Sequence, residues 1–322
     1  MNPFTSRKLV PTKTGYGEGL LEAGRNNPRV FVFGADITAS TGTDLFAKNL
    51  PDRFYSLGIA EQNIAGVAAG FALAGKIPVF CTYAVFSAFR SADQIRVSIC
   101  YNNLHVIIGG AHAGISVGPD GATHQALEDI AVMQALPGMT VFSPCDATQA
   151  RLAVMAAIEE IKGPVYLRFG REAVPDFTSP EMPFIPGKGQ VFKEGKDVTI
   201  ISTGHMTWEA LEAAAKLETE GISARVINIH TIKPIDRQII EKAARETGAI
   251  VTAEEHQING GLGSAVSMVL AQTCPVPVEF IAVHDCFGES GTPAELMEKY
   301  GLTAQDIYLA VKKVIIKKSI KP

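Results

Sequence analysis

Gly58-Ile59-Ala60-Glu61-Gln62-Asn63 decides how this chain is read. It follows a strand-like run, Phe54 to Leu57, and opens an Ala-rich helix expected to reach about Ala74. A carboxylate among small and apolar residues has its charged form disfavoured. A carboxyl poised near neutrality can hold or share a proton with a ring nitrogen. The alternative is a helix-terminal Glu favoured by the macrodipole. The stretch alone leaves both open.

Two further stretches bear on it. Tyr83-Ala84-Val85-Phe86-Ser87-Ala88-Phe89 spaces three aromatics three apart, so Tyr83, Phe86 and Phe89 share one helical face. They can enclose a planar ring or serve as core packing. Gly118-Pro119-Asp120-Gly121-Ala122-Thr123-His124-Gln125 places an acid and an imidazole in a Gly-rich loop. His124 can exchange a proton with a hydroxyl or carbonyl there, or the loop is a turn ending in a helix cap at Thr123 or His124. Together the three stretches describe a site for a flat heteroaromatic ligand.

Around them, strand-like and helix-like runs alternate, the signature of a parallel α/β fold. Helix Gly15 to Gly24 and strand Val30 to Phe33 lead to Gly34-Ala35-Asp36 and a hydroxyl-rich loop containing Ser40. Loops at the carboxyl ends of parallel strands are where such sheets bind ligands; the alternative for this one is an N-cap loop. Strands are expected at Ile77 to Thr82, Leu104 to Gly110, Met139 to Phe142 and Gly163 to Phe169. His112 follows the second of these, and Arg171 the last. Arg171 can fork onto a phosphate or carboxylate, or make a surface ion pair. The helix at Glu61 is apolar all round, so it is expected to be buried on every side, its small residues admitting another backbone or subunit.

Residues 172–190 hold Pro175, Pro180, Pro183 and Pro186 with little periodicity and read as a semi-rigid linker. The pattern then restarts: strands at Asp197 to Ser202, Ala224 to Ile229, Ala249 to Ala253 and Pro277 to Val283, a helix from Trp208 capped by Thr207, and a helical end from Pro293. The expected fold class is therefore two parallel-sheet α/β domains, at 1–175 and 191–322, joined by a linker at 176–190.

The 322 residues are enough for two cores, with 47% apolar and 19% charged residues and a net charge of −4, values that argue against disorder and against a nucleic-acid footprint. No apolar run reaches membrane-spanning length, and Met1 to Lys13 lacks the apolar core of a signal peptide. The cysteines (Cys81, Cys100, Cys145, Cys274, Cys286) form no CxxC pair and read as reduced core residues of a cytoplasmic protein without a metal site. Gly260-Gly261-Leu262-Gly263 is a poor dinucleotide fingerprint and reads as a tight turn.

The Glu61, aromatic and Asp120–Gln125 stretches, in this order, resemble the pyrimidine-binding domain of transketolase, as do Gly34-Ala35-Asp36 with Ser40 and Pro144-Cys145-Asp146. Glu254-Glu255-His256 and Gly288-Glu289-Ser290 resemble that family's C-terminal domain. The family's diphosphate-binding domain, with Gly-Asp-Gly followed by Asn-Asn, is missing. The resemblance therefore implies the C-terminal half of a transketolase made as two chains, active only with an N-terminal-half partner. It further implies thiamine diphosphate at a subunit interface, Mg2+ or Ca2+ held by the partner, an α2β2 assembly, and sugar phosphate substrates. Glu61 would bond the pyrimidine nitrogen and favour the imino form that activates the cofactor. Tyr83, Phe86 and Phe89 would line the pyrimidine pocket, and Asp36 would stand near the thiazolium. Asp120 and His124 would contact donor hydroxyls, His124 taking part in catalysis, while Ser40, His112 and Arg171 would face the substrate phosphate.

Two positions depart from the family pattern: its upstream phosphate-binding Arg stands here as Thr12 or Lys13, and the third pocket aromatic, usually Tyr, is Phe89. Deoxyxylulose phosphate synthases share the Asp120–Gln125 pattern but come as one longer chain. The beta subunits of 2-oxoacid dehydrogenases share the two-domain plan and lack that pattern. An inactive regulatory paralogue is the non-enzyme alternative, against which the retention of Glu61, His124 and the aromatics counts.

Overall fold

The computed structural model describes residues 8–319. The reading of the first residues as free of a signal peptide falls mostly outside them. The chain builds two α/β layers. The first centres on a seven-stranded sheet in the order Thr231–Lys233, Thr140–Phe142, Val165–Arg168, Ile107–Ala111, Ile77–Tyr83, Val30–Gly34, Phe54–Ser56. All neighbours pair parallel except the Thr231–Lys233 edge. The second is five-stranded: Val278–Val283, Ile250–Gln257, Val198–Ser202, Ala224–Asn228, Gln190–Lys193, with only the last antiparallel. Central strands such as Ile107–Ala111 and Val198–Ser202 are buried along their whole length, because helices cover both faces of a parallel sheet and leave no polar side.

The two layers are less separate than the sequence implied. Thr231–Lys233 belongs to the second half by chain position and to the first sheet by pairing. The proline-containing stretch that leads into the expected linker is a strand, Ala173–Pro175, paired with Leu9–Pro11. The linker itself is tied down. Asp146 caps the helix Ala147–Glu159 through Gln149 N–H (2.8 Å), and its carboxylate also accepts from Phe177 N–H (2.9 Å) and from Thr178 N–H (2.6 Å) and Oγ1 (2.8 Å). Phe184 is buried between Phe142 and His230.

Several local expectations differ. The turn Ile115–Asp120 is followed by irregular chain, so no helix starts at His124; the next one is Asp129–Ala135. The left-handed Gly118 and Gly121 hold the loop away from helical geometry. Thr207 lies inside the helix Met206–Glu218 and gives its hydroxyl to Asn228 instead of capping. The C-terminal helix is two, Pro293–Lys299 and Ala304–Ser319, broken at the left-handed Gly301. Cys286 is exposed rather than in the core. No helix among the described residues is long and apolar enough to cross a membrane.

Candidate active site

Glu61 is the first residue of the helix Glu61–Leu73. The chain reaches it from the strand Phe54–Ser56 through Gly58, whose φ of 74° is the left-handed conformation that a Cβ disfavours. This turn points the side chain inward, where it is only 4% exposed. Oε1 accepts from Arg90 Nη1 at 3.0 Å and from Thr82 Oγ1 at 3.5 Å. Thr82 sits near the end of the strand Ile77–Tyr83, and Arg90 ends the short helix Ala84–Arg90 that follows it.

The sequence reading missed Arg90. Its usable signal was spacing: Arg90 lies one turn beyond Phe86, on the same face. The guanidinium carbon stands 3.7 Å from the Phe86 ring centroid, a cation–π contact. Ser91 then breaks the helix, which widens into a π-helical turn at Ile95–Cys100.

The aromatics and the loop meet beside this acid. Tyr83 and Phe86 lie 5.7 Å apart, and His124 meets both edge-on at 5.9 and 5.2 Å. His112 stacks on Tyr83 at 4.3 Å. Phe89 is 50% exposed and stays outside this cluster. It lines, with Phe86, Arg90, Thr123 and Phe287, an open groove of about 540 Å³ between the two halves of the chain.

The remaining predicted residues are arranged unevenly. Asp120 is paired with Arg171 at 3.1 Å, and Arg171 also donates to Val117 O at 3.1 Å. His112 bonds through Nε2 to the backbone carbonyl of Ser40, not to its hydroxyl, at 3.1 Å. Its Nδ1 is buried without a partner among the described residues. Burial, then the Arg171 and Lys13 cations, push the His112 ring down to about 4. The ring is thus neutral near pH 7, with Nε2–H donating to Ser40. His124 bonds Thr123 Oγ1 through Nδ1 at 2.9 Å, which leaves Nε2 unpaired among the described residues. Asp36 stands exposed at the end of Val30–Gly34 with φ 63°, and no hydrogen bond joins it to Glu61. Asp36 and His112 are two of the four non-glycine residues with positive φ among the described residues, a backbone strain that gathers at functional sites.

A second polar cluster lies at the seam between the halves and was only partly read. Asp129 accepts from Arg168 Nε at 2.9 Å and from Tyr166 Oη at 2.7 Å, and Arg168 Nη2 reaches Glu255 O at 2.8 Å. Glu255 in turn accepts from Ser116 N–H at 2.6 Å. The Gly260–Gly263 turn is closed by Glu254, which accepts from the N–H groups of Leu262 (2.6 Å) and Gly263 (2.8 Å). That helix start is therefore occupied by the chain itself. Burial lifts Glu254 up to about 7 against the pull of those donors. No group of three or more His, Cys, Asp or Glu among the described residues is placed to hold a metal ion.

A buried acid joined through Arg90 to an aromatic cluster at the carboxyl end of a parallel sheet is the geometry to set beside known proteins. The family profile "Transketolase, pyrimidine binding domain" matches residues 8–176, and "Transketolase, C-terminal domain" matches residues 187–307. The chain belongs to the transketolase family. Within it, the chain groups with the C-terminal subunits of split-gene transketolases. It is 40% identical over 306 residues, 95% of each chain, to the 6-deoxy-6-sulfo-D-fructose transketolase subunit SqwH of Clostridium sp. (strain MSTE9). It is 38% identical to an apulose-4-phosphate transketolase subunit of Phocaeicola vulgatus, over 94% of this chain and 96% of that one. A solved structure described as "Split gene transketolase, inactive beta4 tetramer" is 53% identical and superposes with a TM-score of 0.90, over 96% of this chain and 99% of that chain.

Proposed function

We propose that this chain supplies the pyrimidine half of a thiamine diphosphate site and, with an N-terminal-half partner holding the diphosphate and its Mg2+ or Ca2+, moves a two-carbon ketol unit from a ketose or its phosphate to an aldose or its phosphate. The observation that carries this is the Glu61 carboxylate: buried, reached through a forced turn, and joined through Arg90 to the Phe86 ring, which clusters with Tyr83 and His124. The residues fit the group. An aminopyrimidine needs a buried carboxyl that can share a proton with its ring nitrogen and a flat apolar wall. Both are present, the carboxyl now bonded through Oε1 to Arg90 and Thr82.

When bound, thiamine diphosphate supplies a nucleophilic thiazolium carbon that takes up the two-carbon unit. The chain's own residues do the rest. Glu61 would donate its carboxyl proton to the pyrimidine ring nitrogen and accept a hydrogen bond back from the N–H so formed. Tyr83 and Phe86, with Phe89 at the rim, keep water off the reacting centre, where a low dielectric strengthens that bond. Asp36 would stand near the thiazolium. His124, through its free Nε2, gives or takes a proton at a donor hydroxyl, and Asp120 orients that hydroxyl. Ser40, His112 and Arg171 form the phosphate end. A neutral His112 brings no charge there, so the attraction comes from Arg171 and the neighbouring Lys13. The division into 1–175, 176–190 and 191–322 serves this reading: the first unit carries the half-site, and the last closes the groove with Phe287.

The reading is tested with Glu61→Gln in the complex with the N-terminal-half chain. We expect turnover to fall at least ~10²-fold, the scale of a lost general acid–base group, with the complex still assembled. Turnover within a few-fold of the unmodified complex refutes the role.

A further inference from the structure

The pyrimidine half-site already contains a ligand, and it is part of the chain. Arg90 donates from Nη1 to Oε1 of Glu61 at 3.0 Å while its guanidinium lies 3.7 Å from the Phe86 ring centroid. These are the two surfaces assigned above to the pyrimidine: the acceptor for a ring N–H and the flat wall. A guanidinium matches both demands, being planar and carrying N–H donors in its own plane. Arg90 is also free to leave. Its side chain is 47% exposed, it ends a seven-residue helix, and it makes no other side-chain hydrogen bond among the described residues. Its way out is open, since it lines the groove of about 540 Å³ shared with Phe89 and Phe287.

We propose that Arg90 is a stand-in for the cofactor: it fills the pyrimidine half-site of the unloaded subunit and must swing into the groove before thiamine diphosphate can bind. This rests on the function proposed above. Physically, a carboxylate that is 4% exposed is costly to leave unpaired. Arg90 pairs it until a ligand's own donor takes over. The contact therefore stabilises the empty subunit and competes with the cofactor, because affinity falls by the fraction of time the competent state is populated. If Arg90 covers the site about nine-tenths of the time, its removal tightens binding roughly tenfold, or about 1.4 kcal/mol.

The test uses the complex of this chain with the N-terminal-half chain, titrated with thiamine diphosphate and Mg2+ and followed by calorimetry, so that the readout is binding and not turnover. Arg90→Met is expected to lower the Kd roughly tenfold and to lower the thermal midpoint of the cofactor-free subunit, where Glu61 loses its partner. In a Glu61→Gln background, Arg90→Met should no longer change the Kd, since no carboxylate remains to contest. An unchanged Kd for Arg90→Met overturns the proposal. A weaker one overturns it too, by showing that Arg90 holds Glu61 in the loaded site. If Glu61→Gln alone leaves both turnover and Kd untouched, the functional reading falls and this inference with it. If Glu61→Gln abolishes turnover but Arg90→Met does not tighten binding, only this inference falls.

Discussion

The Glu61 half-site and the Asp129–Arg168 seam are both built from a buried acid, an arginine and aromatic rings, and they are finished to different degrees. At the seam, Asp129 is fully buried and Arg168 is 6% exposed, and tyrosine and backbone carbonyls complete the network within the chain. At the half-site, the arginine is half exposed, Phe89 and Phe287 face solvent, and Leu73 is 73% exposed at the end of the Glu61 helix. A sealed polar network in low dielectric fixes structure; an open one next to exposed apolar surface awaits a partner. The seam locks the two halves of one chain together, and the half-site is the region the proposed partner would complete.

The largest effect separating the two regions is expected from Arg168→Met. This strands Asp129 in the interior with only Tyr166 and should cost roughly 3–5 kcal/mol, the scale for breaking a buried pair on one side. Urea denaturation of the chain should show it as a shifted midpoint. Arg90→Met, the matched change at the half-site, should cost the chain far less. Equal losses would mean that the two networks are equally sealed.

A smaller effect should come through pH, again at the seam. His230 is wholly buried against Phe184, where the chain crosses back to the first sheet, and burial lowers it from 6.5 to about 4. The folded chain therefore keeps this ring neutral down to about pH 4, while the unfolded chain protonates below about 6.5. Its contribution is complete above pH 6.5 and is lost as pH falls toward 4, at about 1.4 kcal/mol per unit, or about 2 kcal/mol between 6.5 and 5. His256 and His112, also lowered to about 4, act in the same direction, and Glu254, raised to about 7, opposes them. His230→Phe keeps a ring against Phe184 and should flatten the stability–pH curve by one proton's slope. Parallel curves for the two proteins would show that the ring titrates normally.

The same contrast explains what was legible in the sequence. The parallel sheets were readable because strands buried on both faces leave continuous apolar runs such as Val106 to Ile108. The Glu61, aromatic and His124 stretches stood out because loops at strand ends carry their polar and aromatic residues in short runs; the structure clusters the rings of Tyr83, Phe86 and His124 and joins Glu61 to Phe86 through Arg90. Thr231–Lys233 was missed because three residues have no period, and its pairing with Thr140–Phe142 is set by tertiary contact. Arg90 was missed because a cation following an aromatic looks like a solvated helix end. The partner of Arg168 was missed because Asp129 stands 39 residues away. The Glu61 helix was expected to be buried all round, yet Gly66 and Gly70 are not buried. An apolar, Gly-rich pattern does not by itself distinguish a face packed within the chain from one left open.

That last point leads to the smallest effect, which differs in sign between two states. A Cβ added at Gly66 or Gly70 meets nothing within 4 Å, whereas one added at Gly110, on the seam side of the sheet, would stand 2.2 Å from Tyr166 Oη. A glycine in a helix interior with open space around it is unfavourable for the lone chain: alanine there is better by about 0.5–1 kcal/mol. Small residues on an exposed helix face make sense if another backbone packs close to it. Gly66→Ala should therefore raise the urea midpoint of this chain in dilute solution and weaken its assembly with the N-terminal-half chain, read by sedimentation at matched concentration. Gly110→Ala should lower the midpoint in both. If Gly66→Ala stabilises the chain and leaves assembly unchanged, the glycine face of the Glu61 helix is not where the missing half of the site attaches, and the partner must reach Glu61 across the Phe89–Phe287 groove.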